Sequence, residues 1–215
     1  TKTRLAYAGF GGNYGEFTFG RNYGALELIA DWTDSSYVNP YGNSALGISS
    51  SREEGIGRSG NVLKYTGEFS GLDVHVSYKF NDNEKEDGVS QDNSAYGIAL
   101  AYTFDFGFGI GGGYNVANNA DGIDDSKMAI FGVNYDANGV YAAANYATGT
   151  NNKGFKQYHA ESQGDHTGYE AVVGYKFTKN FRAQAMWNKA ELEPNDGAKF
   201  DKVDYYTIEG RYNLT

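Results

Sequence analysis

The feature that most constrains this chain is a two-residue alternation of apolar and polar side chains. It recurs about eleven times, in stretches of roughly ten residues separated by turns that are alternately short and long. Leu72, Val74, Val76, Tyr78 and Phe80 alternate with Asp73, His75, Ser77 and Lys79. Successive side chains of a strand point to opposite faces, so such a stretch has one apolar and one polar face. The fold class this predicts is all-β, an antiparallel up-and-down barrel.

The contents of the alternate positions decide which face is wet. A soluble barrel fills its interior with large apolar side chains. Here Tyr96, Ile98, Leu100, Tyr102 and Phe104 lie on one face and Ala95, Gly97, Ala99, Ala101 and Thr103 on the other. Likewise Tyr169, Ala171, Val173, Tyr175 and Phe177 oppose a face that carries Glu170 and Lys176. Aromatics outward and charges inward make a barrel with lipid outside and water within. A soluble β-sandwich with one wetted face per sheet is the plainer alternative.

Composition agrees with a membrane barrel. The chain has 30 Gly, 19 Tyr and 13 Phe but only 2 Pro, and no apolar run long enough for a membrane-spanning helix. Tyr7, Phe10, Phe17, Phe19, Tyr78, Phe80, Tyr102, Phe104, Tyr175, Phe177 and Tyr212 fall near strand ends, where interfacial girdles require them. The absence of Cys excludes disulfides and thiol chemistry, and a net charge of −9 argues against nucleic acid as a partner.

The spacing predicts strands over Thr3–Phe10, Glu16–Asn22, Asn61–Phe69, Leu72–Phe80, Ala95–Phe104, Phe106–Val116, Lys127–Tyr135, Val140–Thr148, Tyr169–Phe177, Phe181–Glu191 and Val203–Leu214. Short turns fall at Gly11–Asn13, Ser70–Gly71, Asp136–Gly139 and Thr178–Asn180. Long polar loops run over Ala25–Gly60, Asn81–Ser94, Ala117–Ser126, Gly149–Gly168 and Leu192–Lys202. Residues 1–215 read as a single domain. An odd strand count with strands at both ends suggests an excerpt of a longer protein, because hydrocarbon does not tolerate open sheet edges.

Three features invite a catalytic or metal reading. His75 and Ser77 share a strand face, yet nothing in sequence supplies an orienting partner or oxyanion hole. Gly107, Gly109 and Gly112 match a dinucleotide fingerprint, but the chain continues as strand where a helix is required. Asp121–Asp125 is carboxylate-rich without the ordered oxygen spacing of a calcium loop. His159 and His166 lie in a polar stretch and are expected to be exposed. No enzyme, cofactor or metal is expected.

Five segments carry a resemblance: Thr3–Gly9, Gly20–Gly24, Trp32–Asp34, Tyr135–Asn138 and Ala142–Tyr146. In this order they resemble the general diffusion porins of Gram-negative bacteria. The resemblance implies a sixteen-stranded, homotrimeric barrel in the outer membrane, of which these residues cover the fourth to fourteenth strands. It also implies passive movement of ions and small hydrophilic solutes, with residues 25–60 folding into the lumen as a constriction. By motif, Arg4 and Arg58 correspond to wall arginines of the family and Asp34 to a loop carboxylate. The family's segment after Trp-Thr-Asp is replaced here by Tyr37–Gly42, so Asp31, Glu53 and Glu54 are candidates for the second carboxylate.

Plainer readings stand beside these: a solvated acidic pair for Glu53 and Glu54, a capping role for Asp31, and cross-strand pairing for Arg4 and Arg58. Lys64, Lys79, Glu170, Lys176 and Arg182 have lumen-facing parity and are expected to set the field along the channel, either as selectivity determinants or as generic wetted wall. Arg21 shares parity with Phe17 and Phe19, so it faces outward, where a protein neighbour is needed and the family places its trimer contact. Net charge hints at cation preference. The alternative function is a plugged barrel that binds or adheres through its loops.

Overall fold

The alternation becomes two physically different faces in the folded chain. On the strand Ala95–Thr103, Tyr96 is 57% exposed and Leu100 45%, while Ala99 is 1% exposed and Ala101 2%. The large side chains point away from the concave side and the small ones into it.

The computed structural model describes residues 3–36, 45–48, 54–81, 85–86, 89–90, 93–118, 124–151, 164–195 and 197–214. Its strands are β1 (Ala6–Gly12), β2 (Gly15–Asn22), β3 (Ser59–Phe69), β4 (Leu72–Lys79), β5 (Lys85–Glu86), β6 (Val89–Ser90), β7 (Ala95–Thr103), β8 (Phe108–Ala117), β9 (Ser126–Ala137), β10 (Val140–Thr150), β11 (Gly164–Lys176), β12 (Phe181–Pro194) and β13 (Phe200–Tyr212). One helical turn, α1 (Glu27–Ala30), lies between β2 and β3. Eleven strands form one antiparallel sheet in sequence order, and β5 pairs with β6 in a separate small hairpin.

The short turns follow from local chemistry. Ala137 pairs with Val140 across Asn138 and Gly139, whose φ values of 54° and 80° suit a type I′ hairpin, the form whose twist matches the flanking strands. The first turn sits at Asn13–Tyr14, since Gly12 pairs with Gly15. Phe106, expected in a strand, instead lies in the turn ahead of β8, where the Gly107 amide donates to the Phe104 carbonyl at 2.9 Å. Along the short-turn end outward rings meet in sequence: Phe104 with Phe106 at 5.5 Å, Tyr175 with Phe177 at 4.9 Å and Phe177 with Phe181 at 5.6 Å.

At the opposite end β11, β12 and β13 run about three to five residues beyond the alternating stretches. The outward face of those extensions carries Asp165, Glu193 and Asp201 in place of apolar side chains, so the ladder continues where the apolar face stops. The extension also corrects the expectation for His166, which is buried on β11 at 2% exposure beneath the loop described next.

The apolar core lies between this wall and the segment that joins β2 to β3. Ala25, Leu26, Ile29, Ala30, Leu46, Ile48 and Ile56 of that segment pack on Ala99, Ala101, Met128, Ile130 and Ala147 of the wall. Burying each large aliphatic side chain contributes about 1.5–3 kcal/mol, enough collectively to hold a long loop on the wall.

Candidate functional site

The loop crosses the concave wall strand by strand. The Ala25 amide donates to Ser77 Oγ on β4 at 3.0 Å, and Asn145 Nδ2 on β10 donates to the Ile29 carbonyl at 2.8 Å. Tyr141 on β10 donates its hydroxyl to the Trp32 carbonyl, and Thr33 Oγ1 donates to Glu170 Oε2 on β11 at 2.7 Å. Gln184 Nε2 on β12 reaches the Ser35 carbonyl at 3.2 Å, and Ser36 Oγ donates to Glu209 on β13 at 2.7 Å. The outbound limb thus touches the wall from β4 to β13.

A return limb runs back. Ala45 and Leu46 lie over Gly168 on β11, Asn115 Nδ2 on β8 donates to the Glu54 carbonyl at 3.0 Å, and the Gly24 amide closes the loop on the Ile56 carbonyl at 2.9 Å. The height is set by the wall: Ala99, Asn145 and Glu170 are the central residues of β7, β10 and β11.

Close approach requires small residues on the wall. A Cβ at Gly111 would sit 2.4 Å from Ile29 Cδ1, and one at Gly132 would sit 2.7 Å from Ile29 Cγ2 and 2.9 Å from Trp32. Inward alanines and glycines of the wall are the seat of the loop.

Away from that seat the loop carries Glu27, Asp31 and Asp34, spaced for one side of a helical path. Asp31 and Asp34 reach water, yet protein surrounds them on most sides, and this burial raises both carboxyls above their usual range. Glu27 is raised further, to about 9, first by burial and then by the charge and hydrogen bond of Asp31. At neutral pH it therefore holds a proton shared with Asp31. The Lys64 ammonium acts on this pair from β3. Sequence reasoning missed Glu27; its spacing of four from Asp31 was the available signal.

The other candidates are distributed differently. Arg4 is exposed in a bend ahead of β1, and its carbonyl accepts from Arg21 Nε at 3.3 Å. Arg21 falls where the β2–β3 register shifts. Arg58 is half-buried just ahead of β3, with its guanidinium 5.8 Å from the Tyr23 ring centroid. Glu54 is buried against the wall rather than on the open side of the loop, and Glu53 lies outside the described residues, as do Tyr37–Gly42, Asp121 and His159.

Lys64, Lys79 and Glu170 point inward but are covered, with Lys79 Nζ donating to the Asn93 carbonyl at 3.0 Å. Lys176 is exposed, and Arg182 lies 5.3 Å from the Tyr141 ring centroid. Of the possible catalytic pair, Ser77 is committed to the Ala25 amide. Residues 108–117 form β8 throughout, so the glycine motif has no following helix. No group of three or more metal-ligating side chains is assembled among the described residues.

Known proteins share both sequence and fold. The chain is 33% identical over 211 residues to outer membrane protein U of Vibrio parahaemolyticus, covering 95% of this chain and 56% of that protein. It is 32% identical over 162 residues to outer membrane protein F of Serratia marcescens, covering 68% of this chain and 42% of that protein. It therefore spans about half the length of such relatives. In fold it is similar to Salmonella typhi OmpF, solved in complex with daunomycin, with a TM-score of 0.81 at 24% identity over 99% of this chain and 67% of that one. Vibrio cholerae OmpT is similar with a TM-score of 0.68 at 18% identity, over 99% of this chain and 66% of that one. The Gram-negative porin family model matches residues 1–215, and the chain, an antiparallel β-barrel wall of the bacterial outer membrane, belongs to that family.

Proposed function

We propose that the protein forms a water-filled channel through which ions and small hydrophilic solutes diffuse passively, with a mild preference for cations. The observation that carries this reading is the loop held at mid-height on the concave wall with Asp31 and Asp34 on its open side. Carboxylates fixed in a narrow aqueous passage, where field lines are focused by low-dielectric walls, raise the local cation concentration. The residues hold and orient charge; no bond is made or broken.

Selectivity by this mechanism depends on the fixed charge at the narrowest level, which assigns the leading roles to Asp31 and Asp34. Arg4 and Arg58 are the candidate opposing cations, and Lys176 and Arg182 contribute wider in the lumen. The outward aromatic rows support lipid as the surroundings of the wall, and the face that bears Arg21 is the proposed contact of a homotrimer. The test is reconstitution of the complete natural protein in a planar bilayer under a salt gradient. Ohmic steps in groups of three with a cation-biased reversal potential are expected; silence from verified folded protein would favour a plugged barrel that binds through its loops.

A further inference from the structure

We propose that Arg182 is the centre of an oxyanion-binding subsite at the short-turn end of the lumen, which takes a carboxylate or phosphate group of a small solute; this inference rests on the channel reading above. Arg182 is the second residue of β12, and its side chain points inward. In register it stands between Lys176 of β11 and Arg211 of β13, so three cations share one level across neighbouring strands. Like charges placed directly opposite one another destabilise a strand pair. The concentration is local, for the inward residues at the same end of β2, β3 and β4 are Glu16, Glu68 and Asp73.

The guanidinium is held in place by its surroundings. It lies 5.3 Å from the ring centroid of Tyr141, two strands away on β10, and Tyr141 is itself fixed by donating its hydroxyl to the Trp32 carbonyl of the loop. Gly174 of β11, opposite Tyr141, leaves the path between them open: a Cβ there would sit 3.1 Å from Arg182 Nε and 3.2 Å from Nη2. These contacts set the cation on the short-turn side of the turn that carries Asp31 and Asp34.

A purely structural role leaves this cation without a counter-charge. Among the described residues no carboxylate lies within ion-pair distance of Arg182, and its buried Nη2 has no hydrogen-bond partner. The acidic groups of the neighbouring strands are Asp136, opposite Tyr141 on β9, and Glu209 of β13, which accepts from Ser36. Stacking on an aromatic ring orients a guanidinium but does not neutralise it. A planar fork of N–H donors beside two further cations matches an oxyanion, which accepts two parallel hydrogen bonds, and a spherical chloride ion does not reproduce that fit. Solutes that carry a carboxylate or phosphate therefore dwell at this level, below the loop carboxylates.

The test uses the complete natural protein with succinate and inorganic phosphate as probes, in chloride at constant ionic strength. Saturation-transfer NMR of the folded protein in detergent reads binding, and planar-bilayer recording with the probe on the short-turn side reads its effect on current. In the parent at least one probe is expected to show transfer and to lower the current. Arg182→Gln should cut that transfer by about fivefold or more, and Arg182→Lys, which keeps the charge without the fork, should retain only part of it. Gly174→Val keeps the arginine but displaces its guanidinium, and is expected to behave like Arg182→Gln. Lys179→Gln, which removes a cation from the adjoining turn, should leave binding unchanged.

No transfer from either probe in the parent, or parent-like transfer in folded Arg182→Gln, would overturn the proposal; should that variant not fold, Arg182→Lys decides on the same criteria. A parent protein that does not conduct would overturn the channel reading alone, since the NMR measurement still reports on the subsite.

Discussion

The concave side of this wall is two surfaces, and their difference is instructive. Where the loop comes closest, under Ile29 and Trp32, the inward residues are small, such as Gly111 and Gly132, or polar groups such as Asn145 that bond its backbone, and long side chains such as Glu170 and Gln184 are tied to it by hydrogen bonds. Farther toward the short turns they are charged and not bonded to the loop: Glu68, Asp73 and Lys176. Close contact with the loop, more than polarity, distinguishes a wall that supports it from one that faces open water. The first surface requires close approach, so a single methyl group matters; the second solvates its side chains, which tolerate exchange.

The largest effect should come from filling the seat. Gly132→Leu places a branched side chain where Ile29 and Trp32 pack, and the loop has to leave the wall there. We expect about a twofold change in unit conductance, with the folded barrel retained, measured in planar bilayers. The converse change, Ile29→Ala, keeps the seat and removes its occupant. Loss of such a buried side chain costs about 2–5 kcal/mol, to be read as faster hydrogen exchange over residues 25–34.

Changing charge without size comes next. Asp31→Asn with Asp34→Asn should leave unit conductance near the parent value and remove about half of the cation preference, measured as reversal potential. Because both carboxyls are raised by burial, that preference should already decline as pH falls toward the ordinary carboxylate range, earlier than for exposed groups.

Glu27 adds a further limb at high pH. Its folded value of about 9 exceeds its unfolded value, so the stability it contributes is complete in acid and is lost as pH rises through about 9. Ionisation there should increase cation preference and loosen the turn, and Glu27→Gln should abolish both changes. On the open surface, Lys176→Gln should have the smallest effect, about a tenth or less of the reversal potential in physiological salt.

Much of the wall was legible before folding. The period of two gave eleven strands and their facing, and Asn138–Gly139 and Ser70–Gly71 fixed register through turns that need positive φ. Strand ends at β11 to β13 were not legible, because polar residues such as Asp165 and Glu193 on the outward face remove the alternation while the backbone ladder continues. For residues 25–34 the pattern showed only a long polar loop, and the family resemblance implied that it folds into the lumen; which wall residues Leu26, Ile29 and Ala30 would pack on was not legible.

The sequence by itself determined the inside-out barrel wall, since parity is a local property that each strand carries in its own residues. Only the tertiary structure decided that Ala25–Ser36 lies along β4 to β13, that Glu54 and Lys79 are covered while Asp31 reaches water, and that Glu170 accepts from Thr33 of the loop. The physical reason is that contacts such as Thr33 to Glu170, 137 positions apart in the chain, depend on shape complementarity between surfaces that exist only once the sheet has curved.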